Sequence, residues 1–119
     1  MKVRDLHNVP REEKHGGTVS AWDLLTGGDF QSSVLFFNDN LVEPGTTIEP
    51  HEHESMEEVY YVISGTGRAR VGDEETEVGE GSAVCIPPKK VHSLTNTGTY
   101  PLRFICFGIE TARNPSVQP

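Results

Sequence analysis

Gly45-Thr46-Thr47-Ile48-Glu49-Pro50-His51-Glu52-His53-Glu54-Ser55-Met56-Glu57-Glu58-Val59-Tyr60-Tyr61-Val62-Ile63-Ser64-Gly65 is the stretch on which the fold turns. Side chains alternate across a strand, so His51 and His53 project from one face while Glu52 and Glu54 point away. A helix would not pair them, because residues two apart do not face each other there. After a turn through Glu54-Ser55-Met56-Glu57, the run from Glu58 to Ser64 is rich in aromatic and β-branched residues and reads as a second strand. Glu58 then stands at a strand entrance beside the histidine pair. Tyr60 shares its parity and Tyr61 takes the opposite face. A slip of one residue at that entrance would put Glu57 in the place of Glu58.

Working outward, turn residues recur and no helical periodicity persists. Ser33 to Phe37 reads as a strand, and Glu43-Pro44-Gly45 leads into the strand of the histidines. Arg68 to Val71, the Gly72-Asp73 turn and the polar run Glu75 to Val78 read as a hairpin. Ala83 to Ile86 follows, then the turn Pro87-Pro88-Lys89-Lys90 delivers Val91-His92-Ser93-Leu94, and Leu102 to Ile109 is the last core strand. Many short strands with regular turns indicate an antiparallel barrel or sandwich. Residues 1–20 form a polar arm, relieved by the apolar island Ala21-Trp22-Asp23-Leu24-Leu25. Trp22 is read as covering an open end of the barrel, the alternatives being a pocket wall or a contact across a dimer. Residues 112–119 carry two prolines and no apolar anchor and are expected to fray.

The spacing carries a resemblance. Gly45, five intervening residues, His51, one residue, His53, four residues, Glu58, six residues and Gly65 match the first motif of the cupin superfamily position by position. Gly81, five residues, Pro87, then His92, three intervening residues and Asn96 match the second. The chain resembles a single-domain cupin over roughly residues 34 to 110. That likeness implies one domain over residues 1–119, an all-β double-stranded β-helix (jelly-roll) barrel, and His51, His53, Glu58 and His92 as ligands of one divalent transition metal. Lys89 stands where the second motif usually has a glycine. If the backbone there takes positive φ, Lys89 carries a small strain cost.

Three neutral imidazoles and one carboxylate make a borderline nitrogen and oxygen set that suits Mn, Fe, Co, Ni or Zn. An octahedral ion held by four protein groups keeps two positions for water, dioxygen or a bidentate substrate. The resemblance implies a small-molecule metalloenzyme of the oxygenase or dioxygenase type. A non-redox isomerase, lyase or decarboxylase, and a binding or sensor module without turnover, stay open beside it. Tyr60 is the candidate catalytic residue, a hydroxyl placed to position substrate or donate a proton, against the plain reading of a core aromatic. Arg68 and Arg70 share a face and read as solvated before they read as an anion site. Lys89 and Lys90 read as a wet, charged turn.

Composition bounds the partners. Ten Lys and Arg against 18 Asp and Glu give a formal charge of −8, which repels phosphate backbones and argues against nucleic acid. No stretch is apolar for long enough to span a bilayer, and Met1 to His7 lacks the apolar core of a leader, so no membrane partner and a cytoplasmic location are expected. Cys85 and Cys106, both within apolar runs, read as small buried thiols of a reduced chain, and either would neighbour a metal if it faced the barrel interior. Val34 to Phe37 and the island at Trp22 offer more sticky surface than so small a barrel buries, so a homodimer is expected.

Overall fold

A computed structural model describes residues 1–111; the tail expected to fray lies outside the described residues. Its strands are β1 (Arg11–Lys14), β2 (Val19–Thr26), β3 (Val34–Val42), β4 (Thr47–His51), β5 (Met56–Ser64), β6 (Thr66–Val71), β7 (Glu74–Gly79), β8 (Ala83–Ile86), β9 (His92–Asn96) and β10 (Leu102–Glu110). They form two antiparallel sheets, a six-stranded one ordered β1-β2-β3-β10-β5-β8 and a four-stranded one ordered β4-β9-β6-β7. This is the expected jelly-roll. Consecutive strands repeatedly cross between the sheets, so each segment of a few residues serves both walls of the core.

The core forms where the inner faces meet. Along β10, Leu102, Phe104, Cys106 and Gly108 are buried while Arg103, Ile105, Phe107 and Ile109 are half-exposed, the period of two that a strand imposes. Ile48 and Leu94 from the small sheet close on Val62, Leu102 and Phe104 from the large one. Gly65 shows why a motif glycine is needed: its φ is +91°, and a Cβ would come within 2.7 Å of the Pro101 carbonyl oxygen.

Three expectations change. The polar arm is partly strand, since Arg11–Lys14 pairs with Val19–Trp22 as β1 on β2; all but the last of its side chains are exposed, so no burial pattern marks it in the sequence. Met56 and Glu57, read as turn, already belong to β5. Trp22 neither covers a barrel end nor walls a pocket. It lies on the outer face of the large sheet, with the Arg11 guanidinium 5.8 Å from its ring.

Candidate metal centre

The site is assembled from both sheets. His51 ends β4 and His92 begins β9, and the two are direct partners across that pair. Glu58 comes from β5 in the opposite sheet, with Gly108 of β10 as its neighbour. His53 lies two residues beyond the end of β4 rather than on the strand, in the segment crossing between sheets. Its position is fixed differently: its carbonyl oxygen accepts a 2.7 Å bond from the Lys89 N–H. Lys89 takes φ of +64°, so the backbone does keep the conformation that a glycine would serve.

The four side chains converge, with one ligand atom from each lying within 4.8 Å of all the others. The His51 ring is 4.1 Å from that of His92 and 5.1 Å from that of His53. His51 Nδ1 is 2.9 Å from the Glu49 carbonyl oxygen and His92 Nδ1 is 3.0 Å from that of Lys90. A carbonyl only accepts, so each Nδ1 carries the proton and each Nε2 presents a lone pair. The same strand geometry thus sets both tautomers, each ring bonding a carbonyl two residues before it.

Glu58 Oε1 lies 3.2 Å from Nε2 of both His53 and His92. Those contacts lack hydrogen-bond alignment: Glu58 Oε1 and His92 Nε2 are both buried without a partner among the described residues. Two orphaned polar atoms side by side are costly unless a third group satisfies them. Around an octahedral ion with bonds of about 2.1 Å, adjacent ligand atoms sit about 3.0 Å apart and opposite ones about 4.2 Å. The 3.2 Å separations match adjacent ligands of one cation, while the whole set, spanning up to 4.8 Å, would draw in slightly around it.

The surroundings tune the charges. Burial disfavours the Glu58 carboxylate, but the His92 and His53 imidazoles and the Cys106 thiol outweigh it and hold the group below its usual range. Burial likewise disfavours the His92 cation, yet Glu58 and the Lys90 carbonyl raise its pKa, while at His51 burial and the other imidazoles prevail and lower it. Cys106 Sγ donates to Glu58 Oε2 at 3.4 Å, and burial beside Glu58 keeps this thiol protonated. Cys106 thus does face the interior. Cys85 does not: contrary to expectation it is exposed, pairing across β5 and β8 with Val59 on the outer face, 3.7 Å from Glu57. Glu57 accordingly stays outside the cluster.

Tyr60 is buried in the same wall as Glu58, its ring 4.7 Å from Phe104 and 6.5 Å from His92, and Tyr61 is exposed. Burial, then Glu58, then Cys106 push the Tyr60 hydroxyl well above its ordinary pKa, so it stays a donor. Arg68 and Arg70 are exposed, with Arg68 bound to Glu75 at 2.7 Å. Asn96 of the second motif is structural, tying the Val42 and Tyr100 carbonyls, each at 2.8 Å.

A pocket of about 310 Å³ opens beside the cluster, bounded by His53, Glu58 and Tyr60. Its far wall holds residues that sequence reasoning passed over: Lys14, His15, Asp23, Asn38 and Asn40. His15 also places its ring 4.5 Å from that of His51. No local spacing announces these residues, because β1, β2 and β3 bring them together only by pairing.

Residues 41–108 match the family model described as the cupin domain. The chain belongs to the cupin family. An uncharacterised protein of Methanocaldococcus jannaschii is 36% identical to this cupin over 84 residues, which are 71% of this chain and 67% of that protein. An oxalate-binding protein of Thermotoga maritima is 26% identical over 89 residues, 75% of this chain and 74% of its own. In fold, the cupin superposes on the crystal structure of a predicted oxalate decarboxylase from Thermotoga maritima with TM-score 0.82 at 24% identity, over 92% of this chain and 99% of that one. No helix among the described residues is long and apolar enough to cross a membrane.

Proposed function

We propose that this cupin is a small-molecule metalloenzyme of the oxygenase type, with His51, His53, Glu58 and His92 holding one divalent ion per chain. The observation that carries the reading is the pair of buried, unpartnered atoms, Glu58 Oε1 and His92 Nε2, beside an open pocket. A redox-active ion such as iron or manganese would supply the electrons that make dioxygen reactive. The protein's own contributions are positional. Cys106 fixes the far oxygen of Glu58, the backbone carbonyls fix two imidazoles, and Tyr60 presents a hydroxyl from the pocket wall.

The test is anaerobic reconstitution with iron(II) or manganese(II), metal analysis, then oxygen uptake over a panel of small substrates. Uptake that needs both metal and substrate supports the reading; turnover without oxygen uptake sinks it in favour of non-redox chemistry. That second reading has its own support in the likeness to a predicted oxalate decarboxylase. Binding without turnover would follow the oxalate-binding relative instead. Once a substrate is found, Tyr60→Phe keeps the ring and should lower turnover by roughly ten- to a thousandfold with metal content unchanged. Unchanged turnover would assign Tyr60 to packing.

The same proposal takes the protein as a cytoplasmic homodimer. An exposed free thiol at Cys85 suits a reducing compartment. Phe37, Val59, Ile105 and Phe107 lie side by side on the outer face of the large sheet, each half-exposed, with Tyr61 exposed beside them. A monomer by sedimentation at micromolar concentration would count against the dimer.

A further inference from the structure

The wall opposite the candidate metal centre has an order of its own. Lys14 Nζ bonds both Asp23 oxygens, at 2.8 and 3.1 Å. Asn38 Nδ2 donates to Asp23 Oδ1 at 3.1 Å, and Asn40 Nδ2 donates to Asn38 Oδ1 at 2.7 Å. The chain of bonds runs on from Asn40 Nδ2 to the Phe104 carbonyl at 3.4 Å and leaves the Asn40 amide oxygen without a hydrogen bond among the described residues. Asn38 and Asn40 are each only 5% exposed, and burying two amides beside a cavity is unfavourable unless their remaining valences are used.

His15 extends this wall to the rim. Its backbone lies at φ +52°, followed by Gly16 at +69° and Gly17 at +90°, and its carbonyl is held by the Thr18 hydroxyl at 2.7 Å. A non-glycine residue in that region costs roughly 1–2 kcal/mol. Such conformations persist where the surrounding structure holds them and cluster at functional sites. Here the loop turns the imidazole onto His51 and the pocket rim rather than away.

The chemistry of the wall narrows what it can recognise. A carboxylate or phosphate seeks an unneutralised cation, but Lys14, the one ammonium lining the wall among the described residues, is already paired with Asp23. What the wall presents is an array of donors and acceptors with no unpaired cation. A hydroxyl group both donates and accepts, and is the group such an array satisfies. The pocket, of about 310 Å³, suits a small molecule.

We infer that the β1–β2 hairpin, through His15 with Asp23, Asn38 and Asn40, makes this a site for small hydroxylated compounds, polyols or hydroxy acids, bound with their hydroxyls on this wall. The inference rests on the metal reading above, which places the substrate's other end on the ion.

Tartrate and succinate test it, being dicarboxylates of the same chain length that differ by two hydroxyls. Metal content of the cobalt-loaded protein is measured first, and failure to bind metal sinks the metal reading by itself. Calorimetric titration of the loaded protein should then show tartrate binding about tenfold or more tighter than succinate. Asn40→Leu and His15→Ala should each shrink the preference to about threefold or less with metal content unchanged. His15 lies on a surface loop, so that variant keeps the test decisive if Asn40→Leu does not fold. Equal binding of the two acids, or no tartrate binding at millimolar concentration, overturns the assignment. So does a preference intact in His15→Ala and in any folded Asn40→Leu, since the hydroxyls would then be read by the ion.

Discussion

Asp39 and Glu58 are both buried in the six-stranded sheet, one on its outer face and one on its inner, and they are satisfied in opposite ways. Asp39 takes the Arg103 guanidinium on both oxygens, with Nη2 to Oδ2 at 2.6 Å and Nε to Oδ1 at 3.0 Å. Glu58 has one oxygen fixed by the Cys106 thiol, while the other meets two imidazole nitrogens with no aligned bond. A buried carboxylate closed by a guanidinium needs nothing further. One left open beside neutral imidazoles calls for a cation, and this is how architecture and chemistry separate on the two faces of one sheet.

Removing a candidate ligand should separate the two most widely. His92→Ala or Glu58→Ala is expected to weaken metal binding by more than about 100-fold while the protein stays folded, and Arg103→Leu should leave stoichiometry at one ion per chain. Equal metal content in wild type and a folded His51→Ala/His92→Ala double variant would falsify the proposed centre and erase the contrast. Next in size, Arg103→Leu strands the Asp39 charge and should cost about 2 kcal/mol in denaturant unfolding, below the usual range for a buried pair because Arg103 is half-exposed. A loss under about 0.5 kcal/mol would mean that water already serves Asp39.

The contrast sharpens at Cys106, whose thiol makes the one aligned hydrogen bond to the Glu58 side chain among the described residues. Cys106→Ala should weaken metal by about tenfold and Cys106→Ser by less, since serine keeps a donor. Identical affinities across the series would reduce the thiol to packing. The smallest effect is expected at Lys89→Gly, which relieves the left-handed backbone yet keeps the N–H that holds the His53 carbonyl. Stability should rise by about 0.5–1 kcal/mol with metal affinity unmoved. A metal loss there would show that the Lys89 side chain matters to the centre.

The four candidate ligands were legible because one short motif holds three of them within eight residues and a second carries the fourth just after a turn. Strand parity was enough to place Tyr60 inward and Tyr61 outward, since β5 keeps its period through that stretch. Membership of an apolar run misplaced Cys85, because a run such as Ala83 to Ile86 does not say which face is the core until its register against β5 is known. The N-terminal hairpin was illegible for a different reason. Arg11-Glu12-Glu13-Lys14 has no apolar alternation to betray a strand, and Asp23 meets Asn38 only across the β2–β3 pairing. The polar wall of the pocket is therefore a product of topology, with no local signature.

His51 and His92 face each other across two strands of the small sheet, while Glu58 reaches them from the large one. An ion bound there would act as a removable rivet, fastening the two sheets at one rim as a disulfide would, but under control of the metal concentration. At a hundred times its dissociation constant such a rivet adds about 2.7 kcal/mol to global stability. Its local effect would be larger in kind: with chelator, backbone amides of the β4–β9 rim should exchange with deuterium ahead of the remaining barrel, and with metal the two should exchange together.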